Sequence, residues 1–388
     1  VELGVDRFFA EGHAAALQGK RVGLVTNHTG VDSALRPTAE LFLQRRNEIA
    51  LRAFFTPEHG LKGNHSAGEK VEGSRSAEGI PIHSLYGKTR RPTDDMLQDI
   101  DVLIYDIQDV GVRSYTYAST LYYLMEEAAK KNITVIVLDR PNPINGLTVD
   151  GPMLDAKRRS FLGYVNVPYC HGMTIGELAQ FFNAEYQIGC ALRVVPMRGW
   201  ERWMSFRDTG LYWIPSSPNV PEPDTPLFLA STGLLGELGL VNIGVGYTMP
   251  FKIVGAPWID AERFASALNA QRLPGVRFLS MHYRPHYGLY AAEECHGVQI
   301  ALLDPAAYRP LVVQALIMGL LKTLHPLEVQ RRLEAVDGVR KELFCKACGG
   351  DALLCLLTSE KYPAWKLAAH QKEEREAFLQ VRKKYLLY

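Results

Sequence analysis

The first half of the chain alternates short, nearly continuous apolar runs with stretches of helical periodicity. "RVGLVTN" (21–27), "IALRAFF" (49–55), "DVLIYDI" (101–107) and "ITVIVLD" (133–139) are rich in β-branched and aromatic residues and too short for buried helices. "IPIHSLYG" (80–87) is a shorter extended piece. Between them, residues 36–46 and "ASTLYYLMEEAAKKN" (118–132) place apolar residues at helical spacing, the latter with lysines in its last turn. Strands without polar alternation, separated by helices, predict a mostly parallel sheet covered on both faces, a Rossmann-like α/β domain. "HGMTIGELAQFFNAEY" (171–186) predicts a further helix opened by the capping box Thr174-x-x-Glu177.

Past residue 190 the pattern changes. Residues 200–226 are rich in Trp and Pro and predict an ordered but irregular connection. Beyond it, "WIDAERFASALNAQ" (258–271), "LVVQALIMGLLKTL" (311–324) and the closing "AAHQKEEREAFLQVRKKYLLY" read as helices, and "GVRFLSMHYRP" and "GVQIALLD" as strands. The expected organisation is a Rossmann-like domain over 1–190 and a smaller α+β auxiliary domain over 191–388. The length of 388 residues agrees with about two domains.

Bulk chemistry narrows the partners. The chain is 47% hydrophobic and 22% charged, and 43 basic residues against 42 acidic leave a net charge of +1. No basic face for nucleic acid follows from that balance, and no apolar run reaches the roughly eighteen residues of a membrane span. Six cysteines are too few for a disulfide scaffold, and the single Cys345-x-x-Cys348 is weak evidence for zinc.

Ligands of an open α/β sheet sit beyond the carboxyl ends of its strands. There this sequence places Asn27 and His28 after the first run, Glu58 and His59 after the second, Asp106, Gln108, Asp109, Arg113, Tyr115 and Tyr117 after "DVLIY", and Asp139, Arg140 and Asn142 after "TVIVL". Four loops of acids, amides, hydroxyls and arginines at one edge predict a pocket. The dinucleotide fingerprint, the P-loop, H-E-x-x-H and the G-x-S-x-G elbow are all absent, so no cofactor is expected. Paired carboxylates with aromatic residues suit a sugar site: Glu58, Glu69, Asp106 and Asp109 supply the first, and Tyr115, Tyr117 and Trp213 the second. Two alternatives stand beside it, a metal-dependent hydrolase using His28, His59 and Glu58, and a non-catalytic sugar-binding protein. His59 and His65 lack a recognisable ligand spacing, and the expectation is no metal.

"TPEHGLKGN", "AGEKV", "SLYG", "DIDVLIYDIQDVGVRSYTYASTL", "LDRPNPINGLTVDGPMLD", "HGMTIGELAQFFN", "SPNVPEPDT" and "YTMPFKIVGAPWID", in this order, resemble the NamZ type of bacterial exo-β-N-acetylmuramidases from about residue 4 to the end. The resemblance implies an active site in the cleft between a Rossmann-like domain and an auxiliary domain, and release of N-acetylmuramic acid, or a related amino sugar, from the non-reducing end of peptidoglycan fragments. It implies Glu58 as the acid/base, with Glu69 the next candidate. The expected substrate-binding set is Asn27, His28, His59, Asp106, Gln108, Arg113, Tyr115, Tyr117, Arg140, Asn142, His171, Asn219 and Glu237. The implied partners are peptidoglycan-derived disaccharides or muropeptides, bound by a monomer or homodimer without membrane insertion. An extracytoplasmic location is expected, with any signal peptide outside the numbered chain; a cytoplasmic one is the alternative. In "GELGLVNIGVGYTMPF" (236–251), Val245 stands where the family usually carries arginine and Gly239-Leu240 replaces Thr-Asn, which points to a divergent branch.

Overall fold

The computed structural model describes residues 1–65, 68–70 and 72–388, so Ala67 and Val71 of the "AGEKV" motif lie outside the described residues. In chain order, α1 (Gly4–Ala10) leads into β1 (Arg21–Thr26), α2 (Thr38–Gln44), β2 (Ala50–Thr56), β3 (Ser74–Arg75), β4 (Pro81–Ser84), α3 (Asp94–Leu97), β5 (Val102–Asp106), α4 (Thr116–Lys130), β6 (Thr134–Leu138), α5 (Ile175–Glu185) and β7 (Leu192–Val195). These strands form one sheet in the order β3-β4-β2-β1-β5-β6-β7, parallel except for the short edge strand β3.

The apolar runs form the strands for the expected reason. All five residues of β5 are buried, as are the last five of β1, because helices cover both faces. One face packs Phe55, Leu103, Tyr105 and Val137 under α4 and α5. The other packs Leu24, Phe54, Ile104 and Leu138 against Phe8 of α1 and Phe42 of α2. From β1 the chain moves outward to β2 on one side and returns through β5 on the other. The strand order therefore reverses between β1 and β5, and a crevice opens beyond their carboxyl ends.

The second domain comprises α6 (Thr225–Leu238), β8 (Ile253–Ala256), α7 (Ala261–Ala270), β9 (Val276–Tyr283) and β10 (Cys295–Leu302), then α8 (Pro310–Leu324), α9 (Pro326–Ala335), α10 (Gly338–Cys348), α11 (Ala352–Ser359), α12 (Ala364–Ala369) and α13 (Lys372–Arg382). Its three strands pair antiparallel in the order β8-β10-β9, and α6, α7 and α8 share the core with them. Among the described residues no single helix is long and apolar enough to cross a membrane; α8 and α9 together reach that composition but bend by 110° between them.

Two elements differ from the sequence expectation. β7 lies past residue 190 and pairs in parallel with β6, so the first sheet continues beyond the expected boundary. As an edge strand it is only partly buried, which leaves no continuous apolar run to read. The chain end is not helical throughout. After Arg382 it becomes a 3₁₀ turn, and Tyr388 reaches back to donate to Asp139 at 2.7 Å, tying the terminus to the first sheet.

Candidate active site

Glu58 stands two residues past the end of β2. His59 (φ 71°) and Gly60 (φ 74°) follow in the left-handed region and turn the chain sharply back. The Glu58 carboxyl is almost fully enclosed. Its Oε1 accepts from the Gly68 amide at 2.8 Å and its Oε2 from the Thr116 hydroxyl at 2.6 Å. Thr116 opens α4, so the positive end of a fifteen-residue helix faces the acid. Tyr86 completes the surround from the neighbouring strand: Thr56 pairs with Ser84, and Glu58 and Tyr86 each lie two residues further on. Burial, then the Glu58 charge, push the Tyr86 hydroxyl up to about 12.

An aromatic wall stands beside this acid. Tyr115 and Tyr117 meet edge to face at 4.8 Å, and their hydroxyls donate to Ser216 Oγ (3.1 Å) and Ser216 O (2.8 Å). His28 contacts the Pro215 carbonyl through Nε2 at 2.6 Å, and burial lowers its basicity. The segment after Trp213 is thereby clamped onto the sheet edge. Within the glycine-rich loop, His59 Nδ1 lies 2.7 Å from the His65 carbonyl and His65 Nδ1 lies 2.9 Å from Glu69, whose side chain is half exposed.

Other expected sugar contacts are engaged inside the protein. Arg140 donates to both Asp106 oxygens at 2.6 and 2.8 Å and to the Val31 carbonyl, while Thr38 donates to Asp106 as well. Arg113 spends its guanidinium on the carbonyls of Pro152, Val167, Ala347 and Cys348, and burial lowers its pKa to about 10. Asn142 accepts from Ile144 and donates to Met173; His171 accepts from the Met173 amide in a site whose burial depresses it to about 3. The Gln108 amide donates to the carbonyls of Asp109 and Pro141. Trp213, expected as a sugar platform, is buried against Phe206 with its indole N–H on the Val220 carbonyl. These residues shape the edge from beneath. By contrast, Asn27 Nδ2, His28 Nδ1 and Asp109 Oδ1 are buried at that edge without a partner among the described residues.

Glu237, near the end of α6, lines a separate cavity of about 330 Å³ with Ser114, Tyr169, Val245 and Arg340. Burial raises its pKa, and Arg340 opposes the rise. Asn219 is half-buried in the turn after Ser217. Among the described residues no three His, Cys, Asp or Glu side chains converge as a metal site: His28 and His59 each turn a ring nitrogen to a backbone carbonyl.

Residues 22–224 match the family described as exo-β-N-acetylmuramidase NamZ, N-terminal, and residues 227–388 match its C-terminal counterpart. The chain belongs to the NamZ family. It is 37% identical over 390 residues to the peptidoglycan β-N-acetylmuramidase NamZ of Bacillus subtilis (strain 168), covering 100% of this chain and 91% of that protein. Two crystal structures of DUF1343 family proteins from Bacteroides fragilis share its fold. One has a TM-score of 0.92 at 40% identity and the other 0.77 at 29%, each over 100% of this chain and 98% of theirs. Within this NamZ chain, Thr116, Tyr86 and Ser216 contact the candidate site residues and were not singled out by sequence reasoning. Their signal was position: Thr116 begins the helix after β5, and Tyr86 follows the strand beside β2.

Proposed function

We propose that this protein is an exo-acting glycosidase that releases N-acetylmuramic acid from the non-reducing end of peptidoglycan fragments. One observation carries the reading. In a chain matching both NamZ domains, an enclosed carboxyl that pairs with no cation among the described residues, Glu58, stands at the carboxyl edge of the sheet, held by Gly68, Thr116 and the neighbouring Tyr86.

Glu58 protonates the glycosidic oxygen as the bond breaks. The Thr116 hydroxyl suits that task because it donates to the ionised acid and accepts from the protonated one, so the contact survives proton transfer. Glu69, carried on the same loop, is the proposed partner that activates water or attacks the anomeric carbon. Asn27 Nδ2 and His28 Nδ1, without protein partners among the described residues, meet sugar hydroxyls or ordered water. The protein acts outside the cytoplasm as a monomer or homodimer, without inserting into the membrane.

Incubation with the N-acetylmuramic acid–β-1,4–N-acetylglucosamine disaccharide, with and without chelator, tests the reading. Equimolar release of both sugars in both conditions is expected. Saturable binding without product, or loss of activity with chelator and recovery with zinc, would replace it.

A further inference from the structure

Arg90 sits on the loop that follows β4, four residues past Tyr86. Its guanidinium carbon lies 5.1 Å from the centre of the Tyr86 ring and 4.5 Å from that of Phe161, whose rings are themselves 5.9 Å apart. Among the described residues Arg90 forms no ion pair. The guanidinium lies against both aromatic rings and within hydrogen-bonding reach of the Tyr86 hydroxyl, and its five N–H donors leave others for a carboxylate. Tyr86 connects this cation to the acid. The parallel pairing of Thr56 with Ser84 brings Glu58 and Tyr86 out side by side, and the Tyr86 hydroxyl is influenced in opposite directions by Glu58 and Arg90.

The other arginines of this edge are committed elsewhere, Arg113 to four backbone carbonyls and Arg140 to Asp106. Arg90 is exposed, lies against the Tyr86 and Phe161 rings, and shares Tyr86 as a neighbour with the acid. N-Acetylmuramic acid differs from N-acetylglucosamine by a lactyl ether that ends in a carboxylate, one sugar's width from the bond to be cleaved. We propose that Arg90 receives this lactyl carboxylate and gives the site its preference for a carboxylate-bearing sugar. The assignment rests on the muramidase reading of Glu58.

The test uses a chromogenic β-N-acetylmuramide as the free acid and as its neutral lactyl methyl ester. Wild-type protein is expected to prefer the free acid. Arg90→Gln is expected to lower kcat/KM for the free acid roughly 10- to 100-fold, mainly through KM, while changing the ester by less than about threefold. Arg90→Lys, which keeps the charge but loses the fork, should recover part of the loss. Equal loss on both substrates would reduce Arg90 to a support for Tyr86 and overturn the proposal, as would no loss on either. Wild-type protein that cleaves neither substrate would instead overturn the muramidase reading, and this proposal with it.

Discussion

The hydroxyl of Thr116 donates to Oε2 of Glu58 at 2.6 Å, joining the first residue of α4 to the loop after β2. Neither residue is near the other in sequence; the parallel sheet brings their loops together. Valine at 116 keeps the volume and removes the hydrogen bond. Thr116→Val is expected to lower kcat about 10- to 100-fold, the worth of a hydrogen bond to a charged group when it is realised at the transition state. Thr116→Ser should retain most activity. Equal turnover by the valine and serine variants would show that the contact is architectural only.

Glu58→Gln probes the acid itself. Glutamine still accepts from Gly68 through its carbonyl and can turn its amide toward Thr116 as a donor, so the loop should keep its shape. Removal of the transferable proton is expected to reduce turnover by about 100-fold or more. A thermal melt within a few degrees of wild type would separate this from unfolding. Near-normal release of N-acetylmuramic acid would move the acid role to another residue.

The sheet, and the polar edge on which the candidate site is placed, were legible because both depend on local pattern. Continuous apolar runs must be covered on both faces, and polar residues after such strands gather at one edge. Which polar residues meet a ligand was not legible. Arg113, Asn142 and His171 have the chemistry of sugar contacts but fold inward, onto carbonyls and amides that only the tertiary structure supplies. The same applies to Trp213, whose aromatic face is taken by Phe206. Conversely, Tyr86 at the end of the predicted extended piece 80–87, and Arg90 beyond it, gained meaning only from the pairing of β2 with β4.

Asp106 and Arg140 form a fully buried ion pair, with Thr38 and Val31 satisfying the remaining groups. Removing one partner strands a charge in the interior. Arg140→Met is expected to destabilise the protein by about 3–5 kcal/mol. The double variant Asp106→Leu with Arg140→Met should recover much of that loss, because it removes both charges. Urea denaturation of the three proteins measures the difference. A single variant as stable as wild type would mean that water reaches Asp106.

Asp109 gives the protein a pH-dependent stability. Its Oδ2 accepts from the Gly111 amide at 2.9 Å, its Oδ1 has no partner among the described residues, and burial pushes the acid up to about 7. The folded chain therefore holds a proton at Asp109 that the unfolded chain releases near pH 4. This contribution to stability is fully present below the unfolded pKa and is lost as pH rises through about 7. Asp109→Asn keeps the shape and cannot ionise. Relative to wild type, the variant is expected to gain roughly 2–3 kcal/mol between pH 5 and pH 8, since each unit of proton linkage is worth about 1.4 kcal/mol. Taking the difference between the two proteins at each pH cancels other buried acids, including Asp139 at about 6. A difference that stays constant across the range would mean that Asp109 does not titrate there, and that its unpartnered oxygen is met by ordered water.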